Sequence, residues 1–302
     1  MRPLSLAERQ LARPAVSLAD LLSGDRQPIS GDTDFSADQY AHEILASGFP
    51  GLRGLADRIV RAQLDNYIEH VIDRDFSNQG HPVRNRAVLR RWLQAYAAAA
   101  SSTASYEKIR DAATAGSSGK PAKTTVREYL DVLESIWLIE PVPAWKPAVN
   151  ELSRLALSPK HQLVDPALAG RLMRATSAAL LAGQGPGALN RRHSTLFGAL
   201  FEAQLTLDVR VYAQLAEASV FHFRDRDGLR EIDLIVEGHD QGVVALEVKL
   251  AATANDDDVR HLIWLRDRIG DRFRDGAIVT TGRHAYRRRD GIAVVPAALL
   301  GP

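Results

Sequence analysis

Asp233, Glu247 and Lys249 are the residues of this chain whose types and spacing could do chemistry together. Asp233 lies in Arg230-Glu231-Ile232-Asp233-Leu234-Ile235-Val236, and Glu247 and Lys249 close Val243-Val244-Ala245-Leu246-Glu247-Val248-Lys249. Two carboxylates offer a hard divalent cation the oxygen ligands it prefers. A cation so held activates water and shields phosphate charge, and an ammonium beside it steadies the charge of a transition state. Side chains alternate along a strand, so Glu247 and Lys249 share a face while Val248 points away. Lys249 is the only lysine in the last third of the chain, where the other permanent cations are arginines. A compact point charge suits this role better than a planar fork.

The pattern is the D…ExK of metal-dependent nucleases. A short ExK also arises as a solvated ion pair. Here both carboxylates sit in apolar runs, Leu-Ile-Val after Asp233 and Val-Val-Ala-Leu before Glu247. Carboxylates in such surroundings are uncommon without a reason. Glu237-Gly238-His239-Asp240-Gln241-Gly242 between the runs predicts a hairpin that brings Asp233 beside Glu247.

The elements around them predict an α/β domain over 187–302. A helix spans Ser194 to Val209, a strand Val220 to Phe223, then the two motif strands. A helix from Asp256 to Phe273 and strands at Ala277–Thr280 and Ile292–Val295 follow. This is the core order of restriction-endonuclease-like folds, where a glutamate on the first helix often completes the metal site. Glu202 is in position to do so. The expected set is therefore Asp233, Glu247, Glu202 and Lys249, with Mg²⁺ as the cation. Arg283, His284, Arg287, Arg288 and Arg289, with Arg191, Arg192 and His193, either flank a polynucleotide groove or form a solvated loop.

The chain has 302 residues, 45% hydrophobic and 25% charged, with net charge +1, which predicts a globular protein of two or three domains. Its nine histidines show no ligand spacing and it has no cysteine, which excludes disulfides and thiolate metal sites. No apolar run is long enough to span a bilayer and no signal peptide is visible, so a cytoplasmic location and no membrane partner are expected. Near-zero net charge leaves any DNA contact to local basic patches.

Residues 1–80 read as helical. A helix over Tyr40–Leu45 precedes Gly48-Phe49-Pro50-Gly51, and Leu55, Ile59, Val60, Leu64, Tyr67, Ile68 and Val71 recur at helical spacing. Residues 81–186 read as a winged helix. Helices form around Val88–Tyr96 and Ser105–Arg110. A third carries the stripe Val126, Tyr129, Leu130, Leu133, Ile136 and Trp137. Strands follow, one near His161–Val164. Lys120, Lys123, Thr124, Thr125 and Arg127 at the start of the third helix suit contacts to DNA phosphates and base edges. Winged helices also dock proteins, and these residues are equally ordinary for a solvated helix start. Gly116-Ser117-Ser118-Gly119-Lys120 does not make a phosphate loop, because its glycines are too close and Pro121 follows the lysine.

With these residues in hand, nearly the whole chain resembles the C-terminal portion of bacterial and archaeal AAA+-type ATPases. Those proteins end in a winged helix and a restriction-endonuclease-like domain of unknown function. Pro3-Leu4-Ser5-Leu6-Ala7-Glu8 is similar to the segment after their ATPase core, and Ser47-Gly48-Phe49-Pro50 to their GGFP turn. Thr125-Val126-Arg127-Glu128-Tyr129-Leu130 with Leu133-Glu134 resembles their third winged-helix signature. Leu163-Val164-Asp165-Pro166-Ala167-Leu168 resembles their FxDxGL strand end. Gly198, Phe201-Glu202, Glu231-Ile232-Asp233 and Glu247-Val248-Lys249 match the nuclease-like domain. The resemblance implies an α+β or α/β multidomain protein, with 1–80 as the helical end of an ATPase domain. G-x-x-x-x-G-K-[ST] is absent, so no ATP site is carried over. The chain then reads as a truncated product, a mis-assigned start or a standalone lineage. With the ATPase core missing, residues Met1 to Leu22 are expected to be poorly anchored or to expose apolar side chains such as Leu4, Leu6 and Leu11. Two functions follow: a Mg²⁺-dependent DNA endonuclease, or a non-catalytic module that docks DNA or protein.

Overall fold

A computed structural model describes residues 2–81, 83, 85–114, 120–146, 157–182, 191–225 and 228–302, with side chains from 195 onward in the penultimate stretch. The 116–119 loop and the Arg191, Arg192 and His193 side chains lie outside the described residues. The chain divides into two units. One comprises Met1–Tyr40, Val142–Pro159 and Gln204–Pro302, the other Ala41–Pro141 and Lys160–Ala203. The expected segment 1–80 is thus shared between them.

Among the described residues the first unit holds nine strands: β1 (Val16–Ser17), β2 (Ser30–Asp32), β3 (Ser219–Arg224), β4 (Glu231–Glu237), β5 (Val243–Lys249), β6 (Phe273–Thr280), β7 (His284–Arg287), β8 (Ala293–Pro296) and β9 (Leu300–Gly301). Seven form a mixed sheet in the order β2-β7-β8-β6-β5-β4-β3, and β1 pairs with β9. β3, β4 and β5 run antiparallel as a meander, and β5, β6 and β8 are parallel. The predicted hairpin is present: Gly238 N–H donates to Gly242 O at 2.9 Å, and Gln241 turns the chain with φ 62°.

Parallel neighbours need a crossover, and helix Asp256–Ile269 supplies it between β5 and β6. Asn255 starts this helix with a capping box shared with Asp258. Val259, Leu262 and Leu265 bury one stripe against Ala245, Ile278, Phe273 and Trp145. Val243 to Leu246 are all buried, as expected of a strand covered on both faces.

Several elements were not read from the sequence, and two of them bear on the sheet. The arginine-rich stretch after β6 is a strand, β7, whose other edge is covered by β2 from the N-terminal segment. That segment also corrects the expectation of a loose N-terminus. Ser5 and Leu6 are buried, and Leu6 N–H donates to Asp208 Oδ1 at 2.9 Å. Only Leu11 of the three named leucines is exposed, at 40%. Polar anchoring inside a helix, invisible to an apolar-stripe argument, holds the segment down.

The second unit is helical. Asp57–His70, Arg86–Ala98, Tyr106–Thr114 and Lys123–Ser135 match the predicted helices. Their core contains Phe76, Trp92, Tyr96, Tyr129 and Leu133. After the third of the predicted winged helices, Ile139 bridges Leu163 antiparallel, and His161 exchanges backbone hydrogen bonds with Ser101 and Ser102. Helix Lys123–Ser135 stops short of the predicted stripe. Trp137 takes a left-handed conformation (φ 59°) and is 62% exposed. Leu138 N–H returns to Leu133 O, closing the helix as a Schellman motif.

Ser47-Gly48 and Asp165, quoted above from separate motifs, meet in this unit. Asp165 is fully buried and accepts from Ser47 Oγ (2.6 Å), Gly48 N (2.9 Å) and Ala167 N (2.8 Å), the last capping helix Pro166–Leu172. Among the described residues, no helix is long and apolar enough to cross a membrane.

Candidate carboxylate–lysine site

β5 ends with Glu247 and Lys249 on one face, as alternation requires. Lys249 Nζ donates to Glu247 Oε1 at 2.8 Å. Asp233 arrives from β4 by a less regular route. Phe221 pairs with Ile235 and Phe223 with Ile232, so two steps on β3 are matched by three on β4. The extra residue falls in the stretch that holds Asp233. Bulges of this kind re-aim a side chain and interrupt the ladder. Asp233 Oδ2 accepts from Val248 N–H at 2.9 Å, so its carboxylate is tied to the backbone midway between Glu247 and Lys249.

A fourth group enters from helix Asp256–Ile269. Asp258 Oδ2 accepts from Asn255 N at 2.9 Å, while its Oδ1 lies 3.8 Å from Lys249 Nζ. Sequence reading passed over Asp258. The signal that could have found it is Asn255-x-x-Asp258, a capping-box pattern shortly after the ExK strand. The loop between is held at the sheet's end, where Thr281 N–H donates to Ala251 O. Gly282 lies so close to Ala252 O that a Cβ there would stand 2.3 Å from it.

Electrostatics agree with this grouping. Burial opposes the Lys249 charge, but Glu247, Asp233 and Asp258 outweigh it and raise its pKa above the ordinary lysine value. Three carboxylates around one ammonium leave an excess of negative charge. Glu247 is 9% exposed, so that charge is poorly screened.

Glu202 has a different partner. Its Oε1 accepts from Lys160 Nζ at 2.7 Å, and Lys160 is fully buried. Both belong to the second unit, whereas Asp233, Glu247 and Lys249 belong to the first. Among the described residues, no group of three or more His, Cys, Asp or Glu side chains is placed to hold a metal ion. Two carboxylates still fit Mg²⁺, which keeps several waters and takes only one or two protein carboxylates.

The helix-start cations are exposed and paired: Lys120 with Asp111, Lys123 with Glu107 at 3.0 Å, and Arg127 with Asp131 at 3.0 Å. Thr124 is exposed and Thr125 half-buried. Residues 106–135 carry as many carboxylates as cations. In the arginine cluster, Arg287 makes a two-point ion pair with the buried Asp275, both contacts 2.8 Å, Arg283 pairs with Asp34, and Arg288 pairs with Asp256 and Asp290. Much of that cluster's charge is spent on structure.

Residues 37–179 match the family model of a domain of unknown function, DUF8612, and residues 197–300 that of another, DUF4143. DUF4143 is known in AAA-ATPase-associated contexts. Lys120 to Arg127 fall within the first match, and Glu202, Asp233, Glu247 and Lys249 within the second. No curated protein and no solved structure matches the chain.

Proposed function

We propose that this protein binds DNA and that its C-terminal unit is a Mg²⁺-dependent endonuclease of the restriction-endonuclease-like type. The observation that carries the reading is the Asp233–Val248–Glu247–Lys249 arrangement. A bulge turns Asp233 toward the ExK strand, and its carboxylate binds the amide between the two ExK side chains. Asp233 and Glu247 would hold the cation, which when bound activates water and shields the phosphate. Lys249 would place an ammonium beside the phosphate undergoing attack. Its raised pKa keeps it charged across the neutral range, so it serves as an electrostatic stabiliser rather than a base. Glu247 would release its contact with Lys249 as the cation enters.

The second unit supports a winged helix through three helices in order and the pairing of Ile139 with Leu163. Its contact with DNA would run through Lys120, Lys123, Thr124, Thr125 and Arg127. Exposed ion pairs such as Lys123–Glu107 contribute little and are readily exchanged for phosphate. The DUF4143 match supports placing the chain with the C-terminal portion of AAA+-type ATPases.

A non-catalytic docking module is the second reading. It is favoured by the Lys160–Glu202 pair, which engages the carboxylate expected to complete the site.

Incubation with plasmid DNA or RNA and Mg²⁺ or Mn²⁺, with a chelator control, separates the two. Cleavage should appear and chelator should abolish it. Lys249→Ala should lower it roughly 10²–10³-fold while metal binding persists. Asp233→Ala should remove both. Wild type that cuts none of these substrates with either metal would establish the docking module instead.

A further inference from the structure

Helix Asp256–Ile269 starts beside the site, and its side away from the buried stripe is partly open to solvent. Asp258 faces Lys249, and one turn on His261 contacts the start of β4, its Nδ1 lying 2.8 Å from Glu231 O. Glu231 is two residues from Asp233. The surface that begins at the carboxylates therefore continues along this helix. Arg260, Trp264 and Arg268 follow at four-residue spacing, which places them on one stripe.

The stripe is basic with an aromatic among its cations. Arg260 donates from Nε to His261 Nε2 at 3.1 Å, which fixes the base of its guanidinium, and the residue is exposed. Arg230 lies over the Trp264 ring at 4.8 Å from its centroid, and Phe223 stacks with the indole at 5.4 Å. With both partners on the ring, Trp264 serves as a platform that orients Arg230. Neighbouring acids have their own arginines: Asp225 with Arg230, Glu231 with Arg224, Asp267 with Arg266. Arg260 and Arg268 are exposed and enter no ion pair among the described residues. They are separated by about 12 Å of helix, comparable with three or four nucleotide steps of about 3.4 Å.

Resting on the nuclease reading of the adjoining site, we infer that Arg260 and Arg268 form a phosphate-binding track that leads a nucleic-acid backbone to Asp233, Glu247 and Lys249. The track reads charge and spacing, because its aromatic ring is already covered and no base can stack on it. Binding along it is accordingly independent of sequence and strongly dependent on salt.

The test is binding without cleavage, measured by fluorescence anisotropy of labelled duplex and single-stranded DNA on the full chain in EDTA. Arg260→Ala/Arg268→Ala should weaken binding to every sequence and flatten the log–log salt slope on duplex by about two, roughly 0.9 per lost contact. Arg260→Lys/Arg268→Lys keeps the charge and should keep the slope. A melting curve confirms that each variant is folded. An unchanged slope in the alanine variant overturns the track. So does a slope that falls only in Lys123→Ala/Arg127→Ala, which would move the contact to the second unit. Wild-type binding to polyglutamate and to neither DNA form overturns it too. If the slope falls as expected yet wild type cleaves nothing with Mg²⁺ or Mn²⁺, the track stands and the nuclease reading alone fails.

Discussion

Asp208 anchors the N-terminal segment, and its environment makes that anchor pH-dependent. It is buried at 1% exposure on helix Arg191–Leu215, where Oδ1 accepts from Leu6 N (2.9 Å) and Gln204 Nε2 (2.8 Å). Burial raises its pKa from 3.8 to about 7, against the opposing pull of Arg9, the Leu6 amide and Gln204. A carboxyl whose folded pKa is raised favours the folded state fully below the unfolded pKa. That contribution is lost as pH rises toward the folded value. Each full pH unit well between the two values is worth about 1.36 kcal/mol, so roughly 3 kcal/mol is lost between pH 4 and 7. From pH 5 to 8 the loss is roughly 2–3 kcal/mol. Asp208→Asn keeps the carbonyl acceptor and removes the titration. Urea unfolding at pH 5 and 8, followed by Trp145 and Trp264 in the first unit, measures the effect. Stability of wild type relative to the variant should fall by that amount over the interval, a comparison in which titrations common to both cancel. A wild-type–variant difference that is constant with pH would refute the reasoning. The Leu6–Asp208 contact would then have to be an ordinary hydrogen bond to a permanently ionised group.

Other predictions concern the second unit. Asp165→Ala removes a cap and leaves the Ser47 hydroxyl and Gly48 amide without their acceptor, and should cost about 3 kcal/mol in urea unfolding. A loss under about 1 kcal/mol would mean that water or a neighbour takes over these donors. Trp92→Ala and Trp137→Gly should behave oppositely despite deleting the same side chain. Trp92 is fully buried and should cost about 3–5 kcal/mol. At position 137 relief of the left-handed conformation offsets the little burial that is lost, so thermal unfolding should shift by no more than a degree or two. A large destabilisation by Trp137→Gly would show that the indole packs on more than its exposure suggests.

The parts of this molecule that depend on near neighbours in sequence were legible. The meander β3–β4–β5 and its hairpin follow from apolar runs flanked by glycine. The same-face placement of Glu247 and Lys249 follows from a two-residue repeat. Helices in the second unit follow from stripes such as Val126, Tyr129, Leu130 and Leu133. Boundaries failed where a stripe overran its helix, at Trp137, because spacing alone carries no information about a left-handed cap. β7 was illegible because His284-Ala285-Tyr286-Arg287 reads as a polar loop until Asp275 is there to bind Arg287. β2 was illegible because three polar residues form a strand only when an edge awaits them.

Two carboxylates on helix Arg191–Leu215 have partners that lie far from them in sequence. Glu202 is expected to complete a metal site as the first-helix glutamate of a restriction-endonuclease-like fold, and the buried cation that engages it, Lys160, is 42 residues earlier in the chain. Asp208, on the same helix, was passed over, yet it is the more deeply buried of the two and is reached from Leu6. Burial of an acid on an apolar helix therefore says that a partner exists and leaves its identity open. That partner is a lysine for Glu202, and a backbone amide with a glutamine side chain for Asp208. Asp233 differs in that its backbone partner, Val248 N–H, belongs to the strand that carries Glu247 and Lys249. The tie fixes Asp233 beside those two residues. This is why substitutions at Asp233 and Lys249, rather than at Glu202, bear most directly on the chemistry proposed for the site.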